Sequence, residues 1–333
     1  MLIFWIIVFI VSLVVLVKGA DWLIESAEKI GLAMGLSPFL IGVTIVGIGT
    51  SFPEVVTSLI ATFKGVTEVA AANAVGSNIA NILLVVGISA LVARKLMVSK
   101  SLIDLDLPLL AISTVLFLGC VCDGVVTLGE AMLLIATYVI YLLYTVMHRD
   151  QNLEESNKTQ QVLPSRQDRR NISLDGKQQK GISLKIKAKD ILFLIIGIFG
   201  LVLGAKYLID ALVALSTILN IGTGVIAITA VAVGTSLPEL LVSIKAAFKN
   251  KPEVALGNIF GSNVFNLLVV IGLPGLFRTL IVDTQTLMIG IPIMAAATLL
   301  FVISGISQRI HMWEGALYLS LYVFFIAKLF NWF

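Results

Sequence analysis

The sequence predicts an all-α membrane protein with ten transmembrane helices, arranged as two inverted repeats of five helices each. Three observations predict this fold: an apolar composition, ten long apolar segments, and a block of sequence that occurs twice. Of the 333 residues, 58% are hydrophobic and 13% are charged, and the mean hydropathy is +1.03. Charged residues make up about a quarter of a soluble domain. The strands of a lipid-embedded barrel would alternate apolar and polar residues, so these continuously apolar segments indicate helices.

The ten apolar segments are long enough to cross a membrane, because about 20 helical residues span a hydrocarbon core of roughly 30 Å. They lie at 2–18, 38–62, 69–92, 104–121, 128–147, 190–208, 222–247, 254–277, 287–304 and 313–330. The stretch between the fifth and sixth segments is rich in Gln, Ser, Lys and Arg, a composition typical of a disordered linker. We therefore divide the chain into a first repeat at 1–147, a cytoplasmic linker at 148–189 and a second repeat at 190–333.

The basic residues predict the orientation in the membrane. If the N-terminus lies outside, the loops after the odd-numbered segments hold 19 of the 23 Lys and Arg residues, and cytoplasmic loops are enriched in these residues. The other four are Lys64, Lys206, Arg278 and Lys328. We therefore expect a multi-pass protein of the inner or plasma membrane, with both termini outside and the central linker in the cytoplasm. The lipid bilayer is its expected partner, and nucleic acid is not.

One block of sequence occurs twice, at an offset of 185 residues. Residues 44–88 match residues 229–273 at 22 of 45 positions without a gap. The shared motifs are Gly-Thr-Ser with Pro-Glu, at 49–54 and 234–239, and Gly-Ser-Asn, at 76–78 and 261–263. Because each repeat has an odd number of spans, the second repeat enters the membrane from the opposite side. Inverted repeats are typical of secondary transporters, whose substrate binds near the midplane where the repeats meet.

Each copy of the block places a carboxylate, Glu54 or Glu239, near the middle of an apolar segment. A central charge costs about 2.5–3.5 kcal/mol on scales derived from membrane insertion. No Lys or Arg lies at comparable depth, so a bound cation is the natural counter-charge. The proline before each glutamate removes a backbone donor. We therefore expect free carbonyl groups around Thr50 and Thr235 to line a cavity.

Oxygen-bearing residues accompany both glutamates at helical spacings of three and four, which place them on a shared face. Around Glu54 and Glu239, the candidate ligands are Gly47, Thr50, Ser51, Ser77 and Asn81, with Ala232, Thr235, Ser236, Ser262 and Asn266 in the second copy. Ser58, Asn73, Ser243 and Asn258 extend the same polar faces. Hydrogen bonding between helices is an alternative for a single polar face, but its duplication around a glutamate favours an ion site. All-oxygen sites suit Ca²⁺, whereas Zn²⁺ and Cu prefer N and S ligands.

Through these duplicated motifs the chain resembles the Ca²⁺/cation antiporter superfamily, specifically the prokaryotic sodium/calcium exchangers. The resemblance implies that Glu54 and Glu239, with the carbonyls of Thr50 and Thr235, bind Ca²⁺. It implies one Na⁺ site from Gly47, Thr50, Ser51, Glu54 and Ser77, and another from Ala232, Thr235, Ser236, Glu239 and Ser262. Asn81 and Asn266 would complete the central position. No resident cofactor is implied, since Ca²⁺ and Na⁺ are the transported ions.

These inferences predict an antiporter, not an enzyme, which exchanges Ca²⁺ for Na⁺ by alternating access and functions as a monomer. A Ca²⁺/H⁺ antiporter remains open, because protonation of the glutamates could replace Na⁺. Potassium-dependent exchange also remains open, although Asn266 stands where several relatives have Asp, which favours independence from K⁺. A channel would not need inverted symmetry. A hydrolase would need a base near Ser51 or Ser236, and no His or Lys is close to either in sequence.

Overall fold

A computed structural model of the chain describes residues 1–33, 49–98, 106–161, 188–248 and 252–332. These residues form helices and four short strands. In the first half the helices are α1 (Leu2–Ala33), α2 (Phe52–Phe63), α3 (Glu68–Ile79), α4 (Gly87–Ala93), α5 (Leu107–Val121) and α6 (Leu128–Gln161). A π-helical segment, Ala80–Val86, joins α3 to α4, so that Glu68–Ala93 is one continuous span.

In the second half, several spans are built from short helices that follow one another. The helices are α7 (Ala188–Leu219), α8 (Thr223–Ile226), α9 (Ala232–Thr235), α10 (Leu237–Phe248), α11 (Pro252–Phe265), α12 (Gly272–Gly275), α13 (Ile291–Ile306) and α14 (Met312–Leu329). Three further π-helical segments lie at Ala227–Val231, Asn266–Val270 and Thr286–Gly290.

The described residues form an all-α protein of the membrane type. Six helices are long and apolar enough to cross a bilayer, and there are seven if the bent pair Thr223–Thr235 and Leu237–Phe248 is one span. Three more apolar helices are shorter, at Phe52–Phe63, Leu107–Val121 and Leu128–Tyr144. Residues 34–48, which hold the start of the second predicted span, lie outside the described part. The count of ten spans therefore stays a prediction.

The first part of the linker, which is expected to be mostly disordered, is helical. Helix α6 runs without a break to Gln161. The segment from 148 to 161 is polar but contains Glu, Gln, Arg and Lys, which favour helices, and extending an existing helix needs no new nucleus. Residues 162–187 of the linker lie outside the described residues.

Two small β-ribbons join the halves. Strand β1 (Lys95–Met97) pairs antiparallel with β4 (Arg309–His311), and β2 (Val125–Val126) pairs antiparallel with β3 (Leu280–Ile281). Adding the offset of 185 to the first residues of β1 and β2 gives Leu280, which begins β3, and Ile310, which lies in β4. Each ribbon is therefore the counterpart of the other, and each connects a loop of one half to a loop of the other half.

The long helices α1 and α7 pack against each other along a seam of glycines. A Cβ atom added at Gly19 would lie 2.6 Å from the Leu201 backbone nitrogen, and one at Gly204 would lie 2.7 Å from the Leu16 backbone nitrogen. A residue later along α1 thus meets an earlier residue of α7, so the two helices run antiparallel. Most of Glu68–Ala93 and Ala255–Gly275 is buried, whereas only 22% and 28% of the apolar stretches of α1 and α7 are buried. The core therefore lies around the spans that carry the Gly-Ser-Asn motifs.

Candidate functional site

Helices α2 and α10 each begin within a predicted membrane span, at the motif that carries the glutamate. Ser51 is the N-cap residue of α2, with φ −92° and ψ 9°, and Ser236 separates α9 from α10 with φ −82° and ψ 10°. The chain bends by 40° at the second break. Proline is tolerated in the first turn of a helix, where its missing donor is not needed. Glu54 and Glu239 therefore lie in the first turn of α2 and α10, where the helix dipole favours a negative charge.

Each of the two glutamates accepts a hydrogen bond from a serine hydroxyl in the opposite half of the chain. Ser51 Oγ donates a hydrogen bond to Glu239 Oε1 at 3.0 Å, and Ser236 Oγ donates one to Glu54 Oε1 at 3.2 Å. Ser262 Oγ also donates to Glu239 Oε1, at 3.4 Å. The break at each helix start directs the serine hydroxyl away from its own glutamate and toward the other one. We call these bonds the crossed serine contacts.

The crossed serine contacts differ from the grouping of hydroxyls by halves that the resemblance implied. Ser51 was assigned to the same Na⁺ site as Glu54, but its hydroxyl is bonded to Glu239. Ser236 was assigned with Glu239, but its hydroxyl is bonded to Glu54. Spacing along one helix cannot reveal this arrangement, because it depends on how two helices from different halves of the chain lie against each other.

Both glutamates are fully buried, and each keeps one carboxylate oxygen without a hydrogen-bond donor. No described residue donates to Glu54 Oε2 or Glu239 Oε2, and both side chains are 0% exposed. None of the ion pairs among the described residues includes either glutamate. A buried polar atom without a partner costs about 1–3 kcal/mol, and a charged one costs more. These two oxygens are therefore suited to a cation.

Asn81 and Asn266 are also fully buried and also have side-chain atoms without a hydrogen-bond partner in the described part of the chain. Neither the amide oxygen nor the amide nitrogen of either side chain has a hydrogen-bond partner among the described residues, and Ser77 Oγ has none either. The two asparagines lie at the start of π-helical segments, Ala80–Val86 and Asn266–Val270. Such segments occur frequently at functional sites, and the sequence carries no signal for them. Both asparagines thus remain candidates to complete a site.

The remaining predicted ligands lie close to this group or outside the described residues. Thr50, Thr235 and Ala232 are buried, and the Ala232 carbonyl accepts hydrogen bonds from Ser236 N at 3.1 Å and Thr235 Oγ1 at 3.3 Å. Gly47 lies outside the described residues. In the described part of the chain no three His, Cys, Asp or Glu residues cluster, so the site consists of two carboxylates and neutral oxygen donors.

Asn73 and Asn258 were not among the candidate ligands, but the structure connects them to both threonines. Thr235 Oγ1 donates to Asn73 Oδ1, and Thr50 Oγ1 donates to Asn258 Oδ1, each at 3.4 Å. In the sequence, Asn73 lies four residues before Ser77 and Asn81 lies four residues after it, and the second copy has the same spacing around Ser262. Only the three-dimensional arrangement separates the asparagines that have partners from those that have none.

Comparison with known proteins shows that the chain is similar to sodium/calcium exchangers. Residues 4–147 and 189–331 match the family described as "Sodium/calcium exchanger protein". The chain is 32% identical to the sodium/calcium exchanger MaX1 of Methanosarcina acetivorans, with 97% of each chain covered. It is 33% identical to the inner membrane protein YrbG of Escherichia coli, covering 80% of this chain and 78% of that one. A solved structure of the sodium-calcium exchanger NCX_Mj, soaked with Na⁺ and Sr²⁺, aligns with a TM-score of 0.65 at 29% identity over 98% of this chain and 99% of that chain.

Proposed function

We propose, since this chain belongs to the sodium/calcium exchanger protein family, that it exchanges Ca²⁺ for Na⁺ across a membrane by alternating access. The observation that supports this most directly is the pair of fully buried glutamates, one from each half, each with an oxygen that has no hydrogen-bond partner among the described residues. Two ionised carboxylates carry the charge that balances one Ca²⁺.

The central position would take Ca²⁺. Glu54 and Glu239 supply carboxylate oxygens there, and the backbone carbonyls of Thr50 and Thr235 are the further ligands that we assign to it. Ca²⁺ takes roughly six to eight oxygen ligands with flexible geometry, and the amide oxygens of Asn81 and Asn266 would add to this number. The ion would supply the missing partners for buried oxygens of the site.

The two Na⁺ positions would follow the crossed serine contacts. One position combines Glu54 with the hydroxyls of Thr235, Ser236 and Ser77, and with Ala232. Its counterpart combines Glu239 with the hydroxyls of Thr50, Ser51 and Ser262, and with Gly47. Each Na⁺ would therefore bind oxygens from both halves of the chain. Because the glutamates belong to all three positions, Ca²⁺ and Na⁺ compete for them.

That competition couples the two ions. A site filled by either ion has its buried charge neutralised, whereas the empty site holds two like charges in a medium where their repulsion is strong. The protein with a filled site should therefore switch readily between opening to one side of the membrane and opening to the other. The protein with an empty site should switch slowly. We assign the movement to α1 and α7, which would slide along the remaining helices as the site opens to one side and then the other.

Ten spans in two inverted repeats are the architecture that we propose for this mechanism. Three observations support it: α1 packs antiparallel to α7, the two β-ribbons are equivalent, and the family model matches two segments, 4–147 and 189–331. The basic residues favour both termini outside and the linker in the cytoplasm of an inner or plasma membrane. Since both glutamates come from one chain, we expect a functional monomer without enzymatic activity.

Exchange of Ca²⁺ for H⁺ is the alternative that the same glutamates permit, because protonation would also neutralise them. The surrounding hydroxyls favour Na⁺, since a proton needs no further oxygen ligands. Dependence on K⁺ is less consistent with Asn266, which offers a neutral amide where a carboxylate would attract a further cation.

The decisive experiment is Ca²⁺ uptake into liposomes that contain the purified full chain. We expect a Na⁺ gradient to drive uptake without K⁺ and without a pH gradient. Glu239→Gln should abolish uptake because it removes a carboxylate from the proposed Ca²⁺ position. The matched control is Glu25→Gln, the same change at an exposed glutamate that pairs with Lys29 within α1, and it should transport normally.

Two results would overturn the proposal. Uptake driven by a pH gradient and indifferent to Na⁺ would assign the protein as a Ca²⁺/H⁺ antiporter. Equal Ca²⁺ movement with no counter-ion gradient at all would exclude exchange.

A further inference from the structure

Two asparagines outside the proposed ion positions each hold a threonine hydroxyl from the opposite half of the chain. Asn73 lies on α3 and is fully buried, and its Oδ1 accepts a hydrogen bond from Thr235 Oγ1 at 3.4 Å. Asn258 lies on α11, and its Oδ1 accepts one from Thr50 Oγ1, also at 3.4 Å. At the repeat offset of 185 residues, Thr50 corresponds to Thr235 and Asn73 corresponds to Asn258. The same contact between halves is therefore made twice.

The amide nitrogens fix the orientation of both asparagine side chains. Asn73 Nδ2 donates to the Glu54 carbonyl at 3.4 Å and to Ser58 Oγ at 3.3 Å. Asn258 Nδ2 donates to Ser243 Oγ at 3.5 Å. Each amide group is thus anchored to the helix that carries the glutamate of its own half, and its oxygen faces a threonine of the other half.

A threonine hydroxyl has one hydrogen to donate and two lone pairs to accept with. The one hydrogen of Thr235 Oγ1 has two acceptors within reach, Asn73 Oδ1 at 3.4 Å and the Ala232 carbonyl at 3.3 Å. While either of them accepts it, the hydroxyl cannot donate it to Glu54, and its lone pairs remain available to a cation. A hydroxyl free to rotate could instead donate to the carboxylate and stabilise the ion-free site. Fixing the hydrogen therefore favours the ion-bound site.

We propose that Asn73 and Asn258 are positioning residues that keep the Thr235 and Thr50 hydroxyls as acceptors for Na⁺. The inference rests on the proposed function and adds the residues that tune its preference between ions. The Ca²⁺ position uses the threonine carbonyls, whereas the Na⁺ positions use the hydroxyls. Loss of an asparagine should therefore weaken Na⁺ binding more than Ca²⁺ binding.

The loss should be partial. The Ala232 carbonyl already shares the hydrogen of Thr235 Oγ1, at 3.3 Å, and would keep it if Asn73 were removed. A net hydrogen bond contributes about 0.5–1.5 kcal/mol. Asn73→Ala should accordingly raise the half-saturating Na⁺ concentration about threefold to tenfold, with a smaller change for Ca²⁺.

A double-mutant cycle tests the pairing. Half-saturation by Na⁺ and by Ca²⁺ is measured from the thermal stabilisation that each ion gives to the purified full chain, and Na⁺-driven Ca²⁺ uptake is measured in liposomes. Thr235→Val should weaken Na⁺ binding as well, and the double variant Asn73→Ala with Thr235→Val should be no weaker than Thr235→Val alone. Interacting residues show such non-additivity, and independent ones do not.

The matched control combines Asn73→Ala with Thr50→Val, a threonine whose hydroxyl donates to Asn258 and not to Asn73. Here the two effects should multiply. The cycle of Asn258→Ala with Thr50→Val should repeat the non-additivity, and because Asn258 is only half-buried, it replaces the first cycle if Asn73→Ala does not fold.

Multiplying effects in both partner cycles, or equal weakening of Na⁺ and Ca²⁺, would overturn the positioning role. The proposed function would stand in that case if the wild-type chain still exchanges the ions. A wild-type chain that neither binds Na⁺ nor exchanges it for Ca²⁺ would overturn the proposed function and this inference together.

Discussion

Glu54 and Glu239 are each fully buried, and each accepts a serine hydrogen bond at one carboxylate oxygen. In the described part of the chain, no group donates to the other oxygen. One serine bond does not replace the hydration of a carboxylate, because removing an ion from water costs several kcal/mol even after the protein relaxes. The fold tolerates this cost at two neighbouring positions. Because the empty site destabilises the protein and a bound ion neutralises its charge, the stability of the protein should differ with and without ions. This difference can be measured without a transport assay.

We predict that Glu54→Gln raises the thermal stability of the ion-free protein and removes its stabilisation by Ca²⁺. The substitution deletes one of two like charges, which lowers the cost of the empty site. It also deletes a Ca²⁺ ligand, so the stabilisation of about 2.7 kcal/mol expected at 100 times the dissociation constant should vanish. Unfolding in detergent, followed by tryptophan fluorescence with and without Ca²⁺, measures both effects.

Glu25→Gln is the control for this experiment, since it makes the same change at an exposed position, and it should keep the wild-type response to Ca²⁺. If Glu54→Gln unfolded at a lower temperature than the wild type without ions and retained the Ca²⁺ shift, the glutamate would have a structural role and not an ion-binding one.

The identity of these residues could be predicted from sequence, but their partners could not. The duplicated Pro-Glu and Gly-Ser-Asn motifs pointed to Glu54, Glu239, Asn81 and Asn266, because polar groups repeated within apolar helices need a reason. The bond from Ser51 to Glu239 joins residues 188 positions apart. It depends on the crossing of two helices, which neither periodicity nor spacing specifies.

At the scale of elements, the seam between α1 and α7 depends on glycine. A Cβ atom at Gly19 or Gly197 would meet backbone atoms at 2.6 and 2.7 Å, closer than side-chain carbons approach. Backbones that meet without interlocking side chains can also slide past each other with few rotamer changes. The seam is therefore expected to matter both for packing and for the proposed movement.

We predict that Gly19→Ala and Gly197→Ala each lower the stability by about 1–3 kcal/mol, the usual cost of overpacking, and slow exchange. Thermal unfolding and liposome uptake measure the two effects. Gly119→Ala is the matched control, because Gly119 also lies within a helix but has nothing within 4 Å of an added Cβ atom. If Gly197→Ala behaved like Gly119→Ala, the seam would not need its glycines.

Helix α7 also contacts α2 through a charged group. Lys64 Nζ forms an ion pair with Asp210 and donates a hydrogen bond to the Lys206 carbonyl at 3.0 Å. The two side chains are 28% and 40% exposed, and pairs in contact with water contribute about 0–1 kcal/mol. The pair is thus too weak to hold the fold but strong enough to bias the position of α7.

We predict that Lys64→Met changes the exchange rate about twofold to fivefold while the free energy of unfolding stays within about 1 kcal/mol of the wild-type value. Exchanging the charges, by Lys64→Asp with Asp210→Lys, should restore most of the rate. Failure of the exchanged pair to restore it would show that the charge pairing does not bias α7.

The approximate positions of the apolar helices could be predicted from sequence, but their internal breaks could be predicted only in part. The prolines at 53 and 238 indicated disturbed helices, and the structure begins α2 at Phe52 and α10 at Leu237. The π-helical segments had no signal, because their residues are ordinary helix formers. The predicted apolar segment ends at 18, but helix α1 continues to Ala33. Polar residues extend the helix beyond that point, and Lys18 and Asp21 form an ion pair on its surface.

At the scale of the whole molecule, orientation can be tested with a native cysteine. Cys122 follows α5 and is exposed, whereas Cys120 is buried. With both termini outside, Cys122 lies at the outer surface. We predict that a membrane-impermeant maleimide labels it in intact cells and that Cys122→Ser abolishes the labelling. Labelling that requires permeabilised cells would reverse the orientation.

The crossed serine contacts have a consequence for the ancestry of the chain. Each contact has its counterpart at the equivalent place in the other half. In the proposed architecture of two inverted five-helix repeats, two separate copies of one ancestor, inserted in opposite directions, would therefore form both contacts when they assembled. Gene fusion would then have added no ligand. It would have guaranteed that every molecule contains one copy of each orientation, and afterwards the halves were free to diverge.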